Sequence, residues 1–175
     1  MLMQTQPQVQ TQPNAGALAA GTIALIGAAT LGGAWFFQYG LGIQPCPMCL
    51  EQRYAYYLVI VLGALLAFAA PRLPRTAVIA LLAVLALAAF GNSIFGAFHA
   101  GVEWKFWEGP ATCSGPLQDL GSAGNLLQRL DTVKVVRCDE VQWRFLGLSL
   151  AGYNFLISGL MGLVALFGIS KLRTA

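Results

Sequence analysis

Four cysteines, arranged as two pairs, are the residues with the most distinctive chemistry in this sequence. The first pair forms a C-x-x-C motif in Pro45-Cys46-Pro47-Met48-Cys49, where a loop enters an apolar segment. Pro47 suits the first position of a helix, which would place Cys46 at the N-cap and Cys49 in the first turn. Unpaired backbone N–H groups and the positive end of the helix dipole favour a thiolate there. The motif therefore predicts a reactive thiol pair at the start of a helix.

Two basic side chains are candidates to act beside this pair. Arg53 follows Cys49 by four residues, so on a helix it lies on the same face, one turn deeper. A guanidinium there would stabilise a thiolate or hydrogen-bond an oxygen of a bound electron acceptor, although an arginine snorkelling at a helix end fits the same position. His99, the only histidine, is expected at the membrane interface. It either donates a proton to a reduced acceptor or serves only as a polar anchor.

The second pair, Cys113 and Cys138, lies in a long loop and leaves three interpretations open. A structural disulfide closing a loop of this size would stabilise the fold by about 3 to 4 kcal/mol. An exposed disulfide with flexible ends would instead exchange with a visiting thiolate, and the intervening segment 117–130 is expected on the membrane surface. The four cysteines together could hold zinc. The second pair lacks compact ligand spacing, so we predict no metal.

The elements that must position these cysteines are membrane helices. The chain is 57% hydrophobic and 10% charged, against roughly 25% charged in soluble domains. Apolar runs cover residues 15–37, 54–70, 76–98 and 146–169, each near the ~20 residues that span a bilayer. Because backbone polar groups in lipid must be paired within their segment, the runs predict helices. We expect an all-α integral membrane protein, a single membrane domain over 1–175 with a four-transmembrane-helix bundle.

Three further features complete this outline. Residues 1–14 are rich in Gln, Pro and Thr and are expected to form a disordered tail. The first apolar run follows no positively charged residue, so we interpret it as a permanent helix rather than a cleaved signal. Small residues in the runs predict close helix approaches; these are Gly21, Gly27, Gly32, Gly33, Gly63, Gly159 and Gly162.

Counting membrane crossings places both cysteine pairs on one side of the membrane. Two crossings separate the redox loop at 38–53 from the long redox loop at 99–145, between helices 3 and 4, so both face the same side. The short turn at 71–75 concentrates two arginines, and positive charge accumulates on the cytoplasmic side. Paired cysteines confined to one face also suit an oxidising compartment. We therefore predict extracytoplasmic cysteine loops and cytoplasmic termini.

The sequence resembles the disulfide bond formation protein B (DsbB) family, the bacterial inner-membrane oxidases of the periplasmic dithiol oxidase DsbA. The resemblance covers nearly the whole chain. It is carried by Gln44-Pro45-Cys46-Pro47-Met48-Cys49 with Arg53, by Cys113 and Cys138, and by Gln142-Trp143-Arg144-Phe145-Leu146-Gly147-Leu148. It implies a multi-pass protein of the bacterial inner (cytoplasmic) membrane, with its cysteine loops in the periplasm, that uses a protein partner and the lipid bilayer but no nucleic acid.

The resemblance also implies an electron relay between two disulfides, Cys46–Cys49 and Cys113–Cys138. A reduced DsbA-like partner would attack the second disulfide and form a mixed disulfide with Cys113. The freed Cys138 would then attack Cys46, and Cys49 would pass electrons to ubiquinone, or to menaquinone in other settings, from the membrane quinone pool.

On this interpretation, the quinone site consists of Cys49, Arg53 and His99. Arg53 matches the family's arginine near the quinone ring, and His99 falls about where the family has a histidine. Two other functions remain open. One is a quinone oxidoreductase resembling vitamin K epoxide reductase, although the C-x-x-C of that family usually lies late in the chain. The other is a structural or transporter-like membrane protein whose disulfides only staple its loops; the absence of charges inside the apolar runs argues against transport.

Overall fold

The computed structural model describes residues 15–114 and 136–174. Its four long helices are α1 (Ala15–Trp35), α2 (Pro47–Ala69), α3 (Arg75–Glu103) and α4 (Leu150–Thr174). A π-helical segment, Phe36–Gly40, extends α1, and 3-10 turns lie at Ala70–Arg72 and Ala111–Ser114. A two-stranded antiparallel hairpin, β1 (Arg144–Phe145) and β2 (Leu148–Ser149), precedes α4. Each of the four helices is long and apolar enough to cross a membrane, so the predicted four-helix membrane fold is confirmed. The predicted tail at 1–14 and the surface segment at 117–130 lie outside the described residues.

The second helix begins seven residues before the apolar run that predicted it. The run starts at Tyr54, whereas α2 starts at Pro47, because its first two turns carry polar and charged side chains at the membrane boundary. Cys46 is the N-cap, and Pro47 is the first helical residue, as the motif predicted. The C-x-x-C is therefore part of a helix end and not of a free loop.

The boundaries of α3 and α4 also differ from the apolar runs. The third helix continues past position 98 to Glu103, so His99 lies inside it rather than in the following loop. The fourth begins at Leu150 rather than at Leu146, because Leu146 (φ 48°) and Gly147 (φ 84°) form the turn of the hairpin. A left-handed backbone cannot continue a right-handed helix. The connection between α3 and α4 therefore covers 104–149 rather than the predicted range 99–145.

The bundle core is built from two closely packed helix pairs, α1 with α2 and α3 with α4. A Cβ added to Gly63 on α2 would lie 2.9 Å from the backbone oxygen of Ala20 on α1. One added to Gly96 on α3 would lie 2.8 Å from the backbone nitrogen of Phe155 on α4. Only glycine permits these approaches. The predicted close approach is wrong at Gly32 and Gly33, where an added Cβ would meet nothing within 4 Å.

A buried polar network ties three helices together inside the bundle. The Tyr56 hydroxyl on α2 donates to Asn154 Oδ1 on α4 at 2.6 Å. Asn92 Nδ2 on α3 donates to the same oxygen at 3.1 Å and to Ser158 Oγ at 3.0 Å. Polar groups surrounded by lipid must find partners within the protein, so this network specifies how α2, α3 and α4 meet. It also places Tyr56 and Asn154 in the wall of the cavity described next.

Candidate active site

The two thiols of the C-x-x-C motif lie against each other at the start of α2. Cys46 is buried, and its Sγ accepts a hydrogen bond from the backbone N–H of Cys49 at 3.2 Å. The two Sγ atoms are 2.7 Å apart and are not bonded. The hydrogen bond between the two thiol side chains raises the pKa of Cys46 and burial raises it further, whereas the bond from the backbone N–H of Cys49 lowers it by less. Cys46 therefore keeps its proton, and the negative charge of a thiolate belongs to Cys49.

His99 lies beside the buried thiol rather than at the surface. It is only 2% exposed, and its Nε2 is 3.6 Å from Cys46 Sγ. Gln52 Nε2 lies 3.3 Å from Nδ1 of the same ring. Because an amide N–H can only donate, Nδ1 accepts, and Nε2 carries the ring hydrogen that faces the sulfur. A role as a simple polar anchor does not fit this burial.

Arg53 is fixed beside the thiol pair by a residue from another element. Its Nη1 donates to Gln38 Oε1, in the π-helical extension of α1, at 2.7 Å. Arg53 and Cys49 both line one cavity of about 380 Å³ between α1, α2, α3 and α4. An arginine snorkelling to water would not be tied down in this way. The guanidinium is available to an oxygen atom inside the cavity.

The cavity combines apolar walls with a few polar groups at its cysteine end. Leu31, Phe37 and Ile157 are among its apolar residues, and Cys49, Arg53 and His99 are among the polar ones. Small-molecule sites commonly have this volume and this composition. The arrangement suits a flat apolar molecule with hydrogen-bond-accepting oxygens, held next to a reactive sulfur.

Three polar residues at this site were not among the site residues predicted from the sequence. Gln38 and Gln52 position Arg53 and His99, as described above. Glu103 follows His99 by four residues, lines the same cavity, and accepts a hydrogen bond from the Ser149 hydroxyl. The i, i+4 spacing of His99 and Glu103 on one apolar helix is a signal that could have identified the glutamate. The contacts of the two glutamines depend on tertiary packing.

The second cysteine pair forms a disulfide, Cys113–Cys138, with its Cα atoms 5.1 Å apart. Cys113 is 5% exposed and Cys138 is 1% exposed, so the expectation of an exposed disulfide is wrong for this conformation. Both cysteines pack in one cluster with Cys46 and Met48. The backbone of Cys138 also interacts with the ring of His99. The two pairs, distant in sequence, are thus neighbours in the fold.

Ion pairs hold the segment that carries Cys138. Asp139 pairs with Arg137 at 2.8 Å and with Lys105, which follows α3. Hydrogen bonds from Arg137 and Lys105 hold the pKa of Asp139 well below its usual range. These groups are at the surface, where ion pairs contribute little stability. They therefore add little to the packing that holds the second cysteine pair.

The donor geometry does not fit a zinc ion. Sγ of Cys46, Sγ of Cys49 and a ring nitrogen of His99 lie within 4.8 Å of one another. Two sulfurs bound to one tetrahedral zinc would be about 3.8 Å apart, given Zn–S bonds of about 2.3 Å. The observed 2.7 Å is much shorter. Cys113 and Cys138 are bonded to each other and offer no thiolate in this form.

Comparison with known proteins points in the same direction as this geometry. The family model described as "Disulfide bond formation protein DsbB" matches residues 16–168. The Disulfide bond formation protein B of Azoarcus sp. (strain BH72) is 33% identical over 80% of this chain and 84% of its own length. The protein of that name from Albidiferax ferrireducens is 31% identical over 75% and 74%, and that from Aromatoleum aromaticum is 29% identical over 83% and 87%. No solved structure matches the chain.

Proposed function

Since this chain belongs to the DsbB family of bacterial membrane proteins for disulfide bond formation, we propose that it reoxidises a DsbA-like periplasmic dithiol protein and passes two electrons to a membrane quinone. The observation that carries this proposal is the single cluster of Cys46, Cys113 and Cys138, which continues through Cys49 into a cavity. A protein with merely structural disulfides would need neither the free thiol pair nor the cavity beside it.

The residues around the cavity fit a quinone. Apolar walls suit its ring, and Arg53 offers N–H donors of the kind that bind a carbonyl oxygen. Cys49 is the partly exposed member of its pair and shares the cavity with Arg53. Arg53, His99 and Cys49 would hold the quinone, and when bound it supplies a sink for two electrons and two protons. Ubiquinone and menaquinone both provide that chemistry.

The thiol–disulfide steps follow from the neighbouring sulfurs. A partner thiolate attacks Cys113 and breaks the bond to Cys138. The Cys138 thiolate then attacks Cys46 in the oxidised C-x-x-C, so the Cys46–Cys138 bond forms as the Cys46–Cys49 bond breaks. Cys49 is the better leaving group, since it lies in the first turn of α2.

Resolution of the mixed disulfide returns the loop pair to its oxidised form. The second thiol of the partner attacks its own mixed-disulfide sulfur and frees Cys113. The Cys113 thiolate then attacks Cys138, so the Cys113–Cys138 bond re-forms as the Cys46–Cys138 bond breaks. Cys46 and Cys49 are left as a dithiol. The disulfide at Cys113–Cys138 and the free thiols at Cys46 and Cys49 correspond to this point of the cycle.

The proposed orientation puts the cysteine cluster in the periplasm and both termini in the cytoplasm. Positive side chains lie at the other end of the bundle, where Arg72 and Arg75 flank the turn between α2 and α3. Lys171 and Arg173 lie in the last turn of α4 at the same end. This distribution is typical of a cytoplasmic face. An oxidising periplasm is also the compartment in which such disulfides persist.

A coupled assay tests the proposal. The purified protein, in lipid and loaded with quinone, is mixed with a reduced DsbA-type dithiol protein while quinone absorbance and partner thiols are followed together. We expect one quinone reduced for each two thiols lost. Quinone reduction and thiol loss beyond a single exchange should both disappear in Cys49→Ser and, separately, in Cys113→Ser. Unchanged quinone and thiols with the wild-type protein would contradict the proposal and favour disulfides that only staple the loops.

A further inference from the structure

We propose that Glu103 is the proton acceptor of the C-x-x-C thiols and returns that proton to the electron acceptor in the cavity, an inference that rests on the function proposed above. Glu103 is the last residue of α3 and lies one helical turn beyond His99. Its carboxylate lines the cavity together with Cys46 and Cys49. It is thus an acidic group on the wall that carries the reacting sulfurs.

The carboxylate is held in place by the strand that leads into α4. The Ser149 hydroxyl, which is buried, donates to Glu103 Oε2. Ser149 Oγ in turn accepts from the backbone N–H of Gly152 at 3.2 Å, at the start of α4. One carboxylate oxygen is therefore engaged by a fixed donor. No described residue donates a hydrogen bond to the other oxygen, Oε1. We therefore assign proton transfer to Oε1.

The charge of Glu103 and the charge of a thiolate disfavour each other. The pKa of Cys46 is raised chiefly by its hydrogen bond to Cys49 and by burial, and the negative charge of Glu103 adds to the increase. In a cavity with mostly apolar walls, two negative charges cost more than one. Moving one proton from the thiol pair to Glu103 creates the nucleophilic thiolate while it removes the opposing carboxylate charge.

Other ionisable groups around the cavity influence whether the negative charge lies on the thiol pair or on Glu103. From α2 and its N-cap these are Cys46, Cys49, Arg53 and Tyr56, and from α3 His99. From the segment before α4 they are Arg137 and Glu140, and Tyr153 follows on α4. Arg144 on β1 also acts electrostatically on Glu103. Arg53 faces the sulfurs and Arg144 faces the carboxylate, so either location of the single negative charge has a cation nearby.

The proposed step conserves protons and electrons. The dithiol loses two electrons and two protons as the Cys46–Cys49 bond forms, and the acceptor in the cavity gains both. One proton travels from Cys49 through Glu103. The other stays on Cys46 until the sulfur–sulfur bond forms and then passes to the reduced acceptor in the cavity, which Cys46 also lines. No further oxidant or base is required.

The first test measures thiol reactivity in the absence of electron transfer. The full chain in lipid nanodiscs is reduced anaerobically, and alkylation of the Cys49 peptide is timed by mass spectrometry across pH. Glu103→Gln keeps the size of the side chain and the acceptor for Ser149 but removes the charge. We expect alkylation at neutral pH to be about threefold faster or more, since half a pKa unit is about threefold in thiolate. The exposed Glu51→Gln is the matched control and should behave as the wild type.

The second test measures quinone reduction by the same two variants. Loss of a proton acceptor should slow the step by about a hundredfold in Glu103→Gln and flatten its pH profile, while Glu51→Gln keeps the wild-type profile. Faster alkylation with slower quinone reduction is the expected signature. Misfolding would also expose the thiols, so the alkylation rates of Glu103→Gln and the wild type must converge at high pH, where the thiol is fully ionised in both, whereas a misfolded variant would stay faster at every pH. The role of Glu103 is overturned if Glu103→Gln reduces quinone at the wild-type rate, or if its alkylation is unchanged or slower. A wild-type protein that reduces no quinone overturns the proposed function instead.

Discussion

Both cysteine pairs can form a disulfide, but different kinds of contact hold the two pairs in place. Cys46 and Cys49 lie on one helix end, where the N-cap geometry and buried neighbours fix both sulfurs. Cys113 and Cys138 are 25 residues apart, are joined by their disulfide, and are secured near Cys138 by surface ion pairs. The comparison teaches that helix geometry fixes one pair at the cavity, whereas the other depends on its own disulfide and on weak surface ion pairs.

Removing one sulfur from each pair should separate the two roles and have the largest effect. In Cys49→Ser, quinone reduction should fall to background because the thiolate that faces the cavity is gone. The loop disulfide should still exchange once with a reduced partner, as gel shift of the mixed disulfide would show. In Cys113→Ser, exchange with the partner should be lost, while a small dithiol still drives quinone reduction through Cys46 and Cys49. If both variants lose both partner exchange and quinone reduction, the two cysteine pairs do not have separate roles.

Removing the cation beside Cys46 and Cys49 should have the next largest effect. Arg53→Met removes the charged donor from the cavity, and a hydrogen bond to a charged group contributes about 1.5 to 3 kcal/mol. We therefore expect the KM for quinone to rise by about ten- to a hundredfold, measured with a small dithiol as reductant. Arg72→Met, at the opposite end of the bundle, is the control. Equal KM values in the two variants would show that Arg53 does not contact the acceptor.

Overpacking the helix end beneath Trp107 should change only how accessible the Cys113–Cys138 disulfide is to a reductant. A Cβ on Gly101 would lie 2.0 Å from the Trp107 ring, which stacks on Phe98 and precedes Cys113. Overpacking typically costs about 1 to 3 kcal/mol, so in Gly101→Ala we expect reduction of the loop disulfide by dithiothreitol to quicken by about fivefold or more. Gly91→Ala, where an added Cβ meets nothing within 4 Å, should match the wild type. An equal rate in both would mean that this packing does not restrain the disulfide.

The surface ion pairs should give the smallest effect, with a defined dependence on pH. The pKa of Asp139 is lowered in the fold, so its contribution is complete above the carboxyl pKa of unfolded chains, about 3.9, and is lost as the pH falls. Asp139→Asn mimics that loss at neutral pH. We expect reduction of the loop disulfide to be about two- to threefold faster, because surface pairs are weak. Glu140→Gln, which loses only a 3.6 Å pair with Arg137, should change the rate less; the reverse order would contradict this assignment.

Sequence alone predicted the fold well because membrane helices leave a strong local signal. The four apolar runs identified four helices, and Pro47 identified the start of the second more accurately than hydropathy did. The hairpin before α4 was missed because its turn depends on positive φ at Leu146 as well as at Gly147. A leucine in that conformation has no sequence signature.

The sequence predicted the cysteines of the site but not the residues that contact them. Cys46 as N-cap followed from local rules, whereas the burial of the Cys113–Cys138 disulfide results from contacts across the whole chain. Likewise, Gln52 becomes meaningful only once α3 places His99 against α2. Isolated polar residues carry no periodic pattern, so their partners emerge only from tertiary packing.

Contact between the two cysteine pairs is the central claim, and one cross-linking measurement tests it most directly. A Cys49→Ser, Cys113→Ser double variant retains only Cys46 and Cys138, one from each pair. Treated with a mild oxidant in lipid nanodiscs and mapped by mass spectrometry, it should form the Cys46–Cys138 disulfide within single molecules. Both thiols remaining free in the folded protein, or bonds only between molecules, would show that the sulfurs do not meet and that electrons do not pass between the pairs.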